Sequence, residues 1–67
     1  MKEKIIVTLK DHASASFNLH MNNVLVYLTN PAGIGEHSDI MEAIQAELDK
    51  AAVHHDRLEL INKYLTD

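Results

Sequence analysis

The chain has 67 residues and no cysteine, and its six Lys and Arg against ten Asp and Glu give a net charge of −4. A chain this short forms one domain, and without cysteine it has no disulfide, no thiolate metal site and no cysteine nucleophile. The acidic balance argues against nucleic-acid binding, because that affinity comes largely from neutralising phosphates. No apolar run is long enough for a bilayer or a signal peptide, so the sequence predicts a cytoplasmic protein with no membrane partner.

The N-terminal part of the chain alternates apolar and polar residues. Residues 4–10 place Ile5, Val7 and Leu9 on one side of an extended backbone, and their β-branched content is typical of a strand. Residues 15–19 alternate more weakly and predict a short second strand, and 24–29 predict another after an Asn-Asn turn. The predicted fold class is therefore α+β, a small antiparallel sheet of two or three strands followed by one long amphipathic C-terminal helix.

The only proline and both glycines lie in residues 30–37, which predicts a turn between the sheet and the helix. Ser38 is suited to cap the helix that follows, and Asp39 places a carboxylate in its first turn. Apolar residues then recur at spacings of three and four, so the helix is predicted over about 38–65.

The predicted lengths indicate self-association. About 27 helical residues span roughly 40 Å, whereas a strand of six or seven residues spans only about 20–23 Å. The helix would extend beyond its own sheet, which favours a homo-oligomer, most simply a homodimer. The alternative is a helix that bends near His54 and His55 and folds back on its sheet. The predicted interface residues are Ile44, Leu48, Ala51, His55, Leu58, Ile61 and Leu65.

Five histidines are the first candidates for chemistry. His54 and His55 are adjacent, so on a helix their side chains diverge by about 100° and cannot chelate one ion. His55 lies in the apolar stripe, where it would set register and make association pH-sensitive, or would be a partly buried histidine bonded to a carboxylate. His12 and His20 lie on either side of the weakly alternating segment 15–19. They are expected to be solvated loop residues, and the alternative is that they approach each other across a turn.

The glycine-containing turn is the second candidate. Gly33 and Gly35 expose backbone amides just before the helix, and with Ser38 they could hold an anion such as a phosphate. The alternative is that the two glycines are required only for a tight turn. The spacing does not match a nucleotide-binding fingerprint, and no cofactor is predicted.

Catalysis and metal binding have weaker support. Glu36, His37 and Asp39 could hold a divalent cation, although such residues usually face water, and no resident metal is predicted. No motif places a nucleophile, a base and an orienting group together, so the sequence predicts that the protein is not an enzyme.

The run NPAGIGEHSDI at residues 30–40, followed by a charged helix that reaches Leu58–Ile61, resembles short uncharacterised proteins encoded by tailed bacteriophages. Their shared feature is an NPAGIGEH-type turn that leads into one helix. The resemblance implies a phage context, a location in the host cytoplasm and a host protein as a further partner. It implies no activity, and no binding residue follows from it.

The sequence thus predicts a non-enzymatic, homo-oligomeric small accessory protein that acts by protein–protein interaction. The alternative is an oligomer that sequesters a small anionic ligand, such as a nucleotide, through the glycine-containing turn and the helix N-terminus.

Overall fold

The computed structural model of the chain describes residues 1–29 and 37–65, with the side chains of all of them except 37 and 38. Two helices of 28 residues each, α1 (Lys2–Thr29) and α2 (His37–Tyr64), form a hairpin. The helices are antiparallel, because contacts pair His12 with His54 and Asn23 with Glu47. The hairpin is elongated, with extents of 49 × 15 × 12 Å.

The predicted α+β fold class is wrong. Residues 1–29 and 37–65 contain no strand, and the predicted strands 4–10, 15–19 and 24–29 all lie within α1. The same residues that alternate with a period of two also recur at spacings of three and four, which brings one row onto one helix face. Because helix propensities differ by less than about 1 kcal/mol among ordinary residues, packing of that row outweighs the β-branched content. The row is Ile6, Lys10, Ala13, Phe17, His20, Val24 and Tyr27.

Local features of α1 support the helix. It contains no glycine or proline, and Glu3 lies in its first turn, where the helix dipole favours a carboxylate. Thr8 Oγ1 donates to the carbonyl of Lys4 and Thr29 Oγ1 donates to that of Leu25, each at 2.9 Å. These threonines therefore satisfy their hydroxyls within the helix.

The second helix occupies the segment for which a helix over about 38–65 is predicted. Asp39 in the first turn and Lys63 in the last turn have the charges that the helix dipole favours at each end. The predicted turn at 30–37 lies outside the described residues, apart from the backbone of residue 37.

The core is the seam between the two helices. Ala13, Val24, Ala51 and Ile61 are exposed by 0, 6, 2 and 4%, and no large side chain of the described residues is fully buried. The seam repeats at spacings of three and four on both helices, as in a coiled coil. Its positions on α2 are Ile40, Ile44, Glu47, Ala51, His54, Leu58 and Ile61.

The equal lengths of the helices change the argument for self-association. The sequence predicts a helix that extends beyond a shorter sheet, but α1 and α2 have 28 residues each and run side by side. α2 is also one continuous helix through His54 and His55, so it does not fold back at that point. Any support for an oligomer must therefore come from the outer surfaces of the hairpin.

Candidate functional site

A polar cluster interrupts the seam near its middle. His20 Nδ1 donates to Glu47 Oε2 at 2.6 Å, and Asn23 Nδ2 donates to Glu47 Oε1 at 3.1 Å. The side chains of His20 and Glu47 are only 18 and 13% exposed. The carboxylate of α2 is thus held by two donors that lie one turn apart on α1.

These contacts change the acidity of the carboxylate. The hydrogen bond from His20 lowers the pKa of Glu47 below its ordinary value of 4.5, and partial burial opposes this shift. The hydrogen bond from Asn23 and the positive charges of His20 and Lys50 lower it further. Glu47 is therefore ionised at neutral pH, in a place where an unpaired carboxylate would be costly.

His54 lies between two histidines of the facing helix. Its ring centroid is 5.8 Å from that of His20, with the rings 7° from parallel, and 6.1 Å from that of His12, with the rings at 72°. Arg57 Nη1 lies 3.4 Å from His54 Nδ1 and can donate to it only when that nitrogen carries no proton. We call His12, His20 and His54 the histidine cluster.

The surroundings of His54 favour its neutral form. Desolvation lowers the pKa of His54 below its ordinary value of 6.5, and the charges of Arg57, His20 and His12 act in the same direction. An imidazolium at this position would face three positively charged or chargeable groups. His54 is thus an uncharged acceptor at neutral pH.

His55, the histidine predicted to lie in an interface, faces the other side of the hairpin. Its ring centroid is 5.6 Å from that of Phe17, and its Nδ1 is 3.0 Å from Glu59 Oε1. One interpretation of His55 from the sequence is a partly buried histidine bonded to a carboxylate. His55 has a carboxylate partner in Glu59, but its side chain is 54% exposed. Among the described residues, His55, Asp56 and Glu59 have side chains of the kinds that bind metals and lie close together. All three are exposed neighbours on one helix, an arrangement that is common without a bound ion.

The predicted interface residues divide into two groups. In the first, Ala51 and Ile61 are buried and two others partly buried, all within a single chain, so the hairpin itself uses these side chains. The second group is exposed, with Leu48 at 43% and Leu65 at 48%. The first group is Ile44, Ala51, Leu58 and Ile61, and the second is Leu48, His55 and Leu65.

The predicted anion site lies at the edge of what the structure describes. Gly33 and Gly35 fall outside the described residues, and Ser38 is in the first turn of α2 with its side chain outside them. The same holds for Glu36 and for the side chain of His37, which the sequence proposes as cation ligands. The structure therefore gives no geometry for either site.

The contact between Phe17 and His55 marks one long side of the hairpin. Since residues three, four, seven and eight apart share a helix face, the row from Phe17 continues through Met21 to Leu25 and Leu28. The row from His55 continues in the opposite direction. It passes through Leu48 and Ile44 to Met41.

We call the exposed members of these two rows, Leu25, Leu28, Met41 and Leu48, the apolar surface. Their side chains are exposed by 56, 60, 66 and 43%. Leu25, Leu28 and Met41 lie where α1 ends and α2 begins, and Leu48 lies nearer the middle of α2. All four are on the side opposite the contact between His12 and His54. Large apolar side chains grouped in this way are typical of an interaction surface.

Comparison with protein-family models, with curated proteins and with solved structures finds no match for this chain. Neither helix, over the residues described, has a stretch apolar enough and long enough to span a lipid bilayer.

Proposed function

We propose that the protein is a non-enzymatic interaction module that pairs with a second copy of itself through the apolar surface, as a four-helix bundle. The observation that carries this proposal is the grouping of Leu25, Leu28, Met41 and Leu48, all at least 43% exposed, on one side of the hairpin. Two hairpins that bury this side against each other would form a two-fold, self-complementary interface.

The surface area of the chain supports a partner. The chain exposes 5140 Å², whereas a compact monomer of this mass exposes about 4,250 Å². The excess is close to the roughly 800 Å² that each partner buries in a standard interface. Its radius of gyration is 15.2 Å, against about 11 Å for a compact domain of this length. A single hairpin therefore leaves surface uncovered that a second hairpin would cover.

The distribution of charge favours a copy of the same chain as the partner. Residues 12–29 contain no Asp, Glu, Lys or Arg, so this part of α1 brings no like charges together in a symmetric pair. On α2, Glu42 and Asp49 directly follow Met41 and Leu48 in the sequence and are exposed. They fit the polar rim of an interface with an apolar centre.

The proposal is tested by measuring mass in solution with multi-angle light scattering over a roughly hundredfold range of concentration. We expect a dimer for the wild type and a folded monomer for Leu48→Glu, because the new carboxylate would be buried without a partner. Leu60→Glu is the matched control, since Leu60 is also an exposed leucine of α2, at 57%, about 120° away around the helix.

A wild-type chain that stays monomeric and helical at the highest concentration would exclude the proposal. Equal dissociation by both leucine variants would exclude this surface as the interface. An oligomer that Leu60→Glu alone dissociates would place the interface on the outer side of α2.

The resemblance to phage proteins adds a host protein as a second class of partner and the host cytoplasm as the location. The alternative function, sequestration of a small anion, depends on Gly33 and Gly35, which lie outside the described residues. No observation on the described helices favours it over self-association.

A further inference from the structure

We propose that the histidine cluster is a pH-sensitive latch, in which neutral His54 holds the two helices together and its protonation in mild acid loosens them. The latch belongs to the seam within one chain. It therefore goes beyond the proposed function and does not depend on self-association.

The geometry around His54 disfavours a proton on its ring. Its ring stacks on His20 at 5.8 Å and meets the edge or face of His12 at 6.1 Å, so both contacts come from the opposite helix. Arg57 reaches its Nδ1 at 3.4 Å from the same helix. A proton on Nδ1 would replace this hydrogen bond by two opposed N–H groups, one of them on a guanidinium.

The charges around His54 are unbalanced. From α1 it faces His12 and His20, and from α2 it faces Arg57, with Lys50 one turn earlier on the same helix. Glu47 is the carboxylate of the described residues that contacts the cluster, and it is already bonded to His20 and Asn23. A charge on His20 gains Glu47 as its partner, whereas a charge on His54 gains none.

The sign of the effect follows from linkage. The pKa of His54 is below 6.5 in the folded hairpin, so the unfolded chain binds more protons than the folded chain as the pH falls below that value. The stability due to neutral His54 is complete above 6.5 and is lost as the pH falls from there toward the lower folded pKa. Protonation of Glu47 acts in the same direction, but only below 4.5.

The latch is tested by urea unfolding, followed by circular dichroism, at about pH 7.5 and about pH 5.5. We expect the folding equilibrium constant of the wild type to fall by up to roughly tenfold for each unit by which folding lowers the pKa of His54. His54→Gln should have a much flatter pH dependence. His55→Gln is the matched control, because His55 is adjacent, exposed and outside the cluster, and it should retain the wild-type dependence.

Two further measurements keep the result interpretable. Unfolding is repeated in Leu48→Glu, so that a pH effect on the seam is separated from an effect on association. The wild-type imidazole resonances are titrated by NMR, which reports on His54 even where His54→Gln does not fold.

Equal stability of the wild type at both pH values would overturn the proposal. So would an unchanged pH dependence in folded His54→Gln, or a His54 resonance that titrates at or above 6.5.

Discussion

The two helices differ in the number of charged side chains that they expose to solvent. Residues 12–29, most of α1, contain no Asp, Glu, Lys or Arg, whereas residues 37–65 contain six acidic and three basic side chains. Outward positions of α1 carry Leu19, Leu25 and Val26, each at least 55% exposed. The exposed side chains of α2 thus mix charged residues with apolar ones such as Met41 and Leu48, whereas those of residues 12–29 include no Asp, Glu, Lys or Arg.

The largest effect is expected from a charge in the seam of α1. Val24→Asp places a carboxylate at a position that is 6% exposed, so we expect loss of the hairpin, at a cost on the order of 3 kcal/mol or more. Val26→Asp, at 60% exposure, should stay helical. In a strand these two valines would share a face and respond alike, and in a helix they lie about 160° apart. Far-ultraviolet circular dichroism of both variants decides between the two arrangements, and equal responses would contradict the helix.

A smaller effect is expected when the polar contact between the helices is removed. Glu47→Gln keeps the size of the side chain but removes the charge that His20 and Asn23 hold. The urea midpoint at neutral pH should fall, and the pH dependence below 4.5 should weaken, because the lowered pKa of Glu47 contributes stability above that value. Glu42→Gln, on the exposed side of α2, should change neither. A Glu47→Gln chain as stable as the wild type would show that this contact contributes nothing to the fold.

The smallest effect on the fold, but a clear one on association, is expected at the exposed end of α1. Leu25→Lys adds a lysine to residues 12–29, which contain no Asp, Glu, Lys or Arg, and should raise the dimer dissociation constant while helix content is unchanged. Leu19→Lys is the matched control, since Leu19 has a similar exposure, 55 against 56%, on a different face of the same helix. Sedimentation equilibrium measures both. If Leu19→Lys raised the dissociation constant more than Leu25→Lys does, the interface would lie on the face of α1 that contains Leu19.

The sequence allowed the second helix to be predicted but not the first. Residues 37–64 repeat at three and four with charged residues between, a pattern that only a helix uses well. Residues 4–10 and 24–29 satisfy two periods at once, since Val24 belongs both to an alternating run and to the helical row that contains His20 and Tyr27. Short apolar runs cannot be assigned by period alone, and the facing helix decides the outcome.

Four residues of the predicted interface stripe, Ile44, Ala51, Leu58 and Ile61, lie in the seam of α2, whereas Leu48 and His55 each lie one residue after a seam position. The prediction used apolar residues, so it chose Leu48 and His55 in place of Glu47 and His54, a rotation of about 100°. The divergence of His54 and His55 was a sound expectation, but the side that faces α1 was not evident. Only the unbroken spacing from Ile44 through Glu47, Ala51 and His54 indicates that polar residues occupy the seam.

The contact of Glu47 with His20 and Asn23 also fixes the alignment of the two helices along their length. A slip of one heptad would place Glu47 opposite Ala13 or Tyr27 and leave His20 without its acceptor. Alanine and leucine positions would tolerate such a slip, because one apolar contact replaces another. The polar contact near the middle of the seam therefore favours one alignment of the helices, and with it one outer surface of the hairpin.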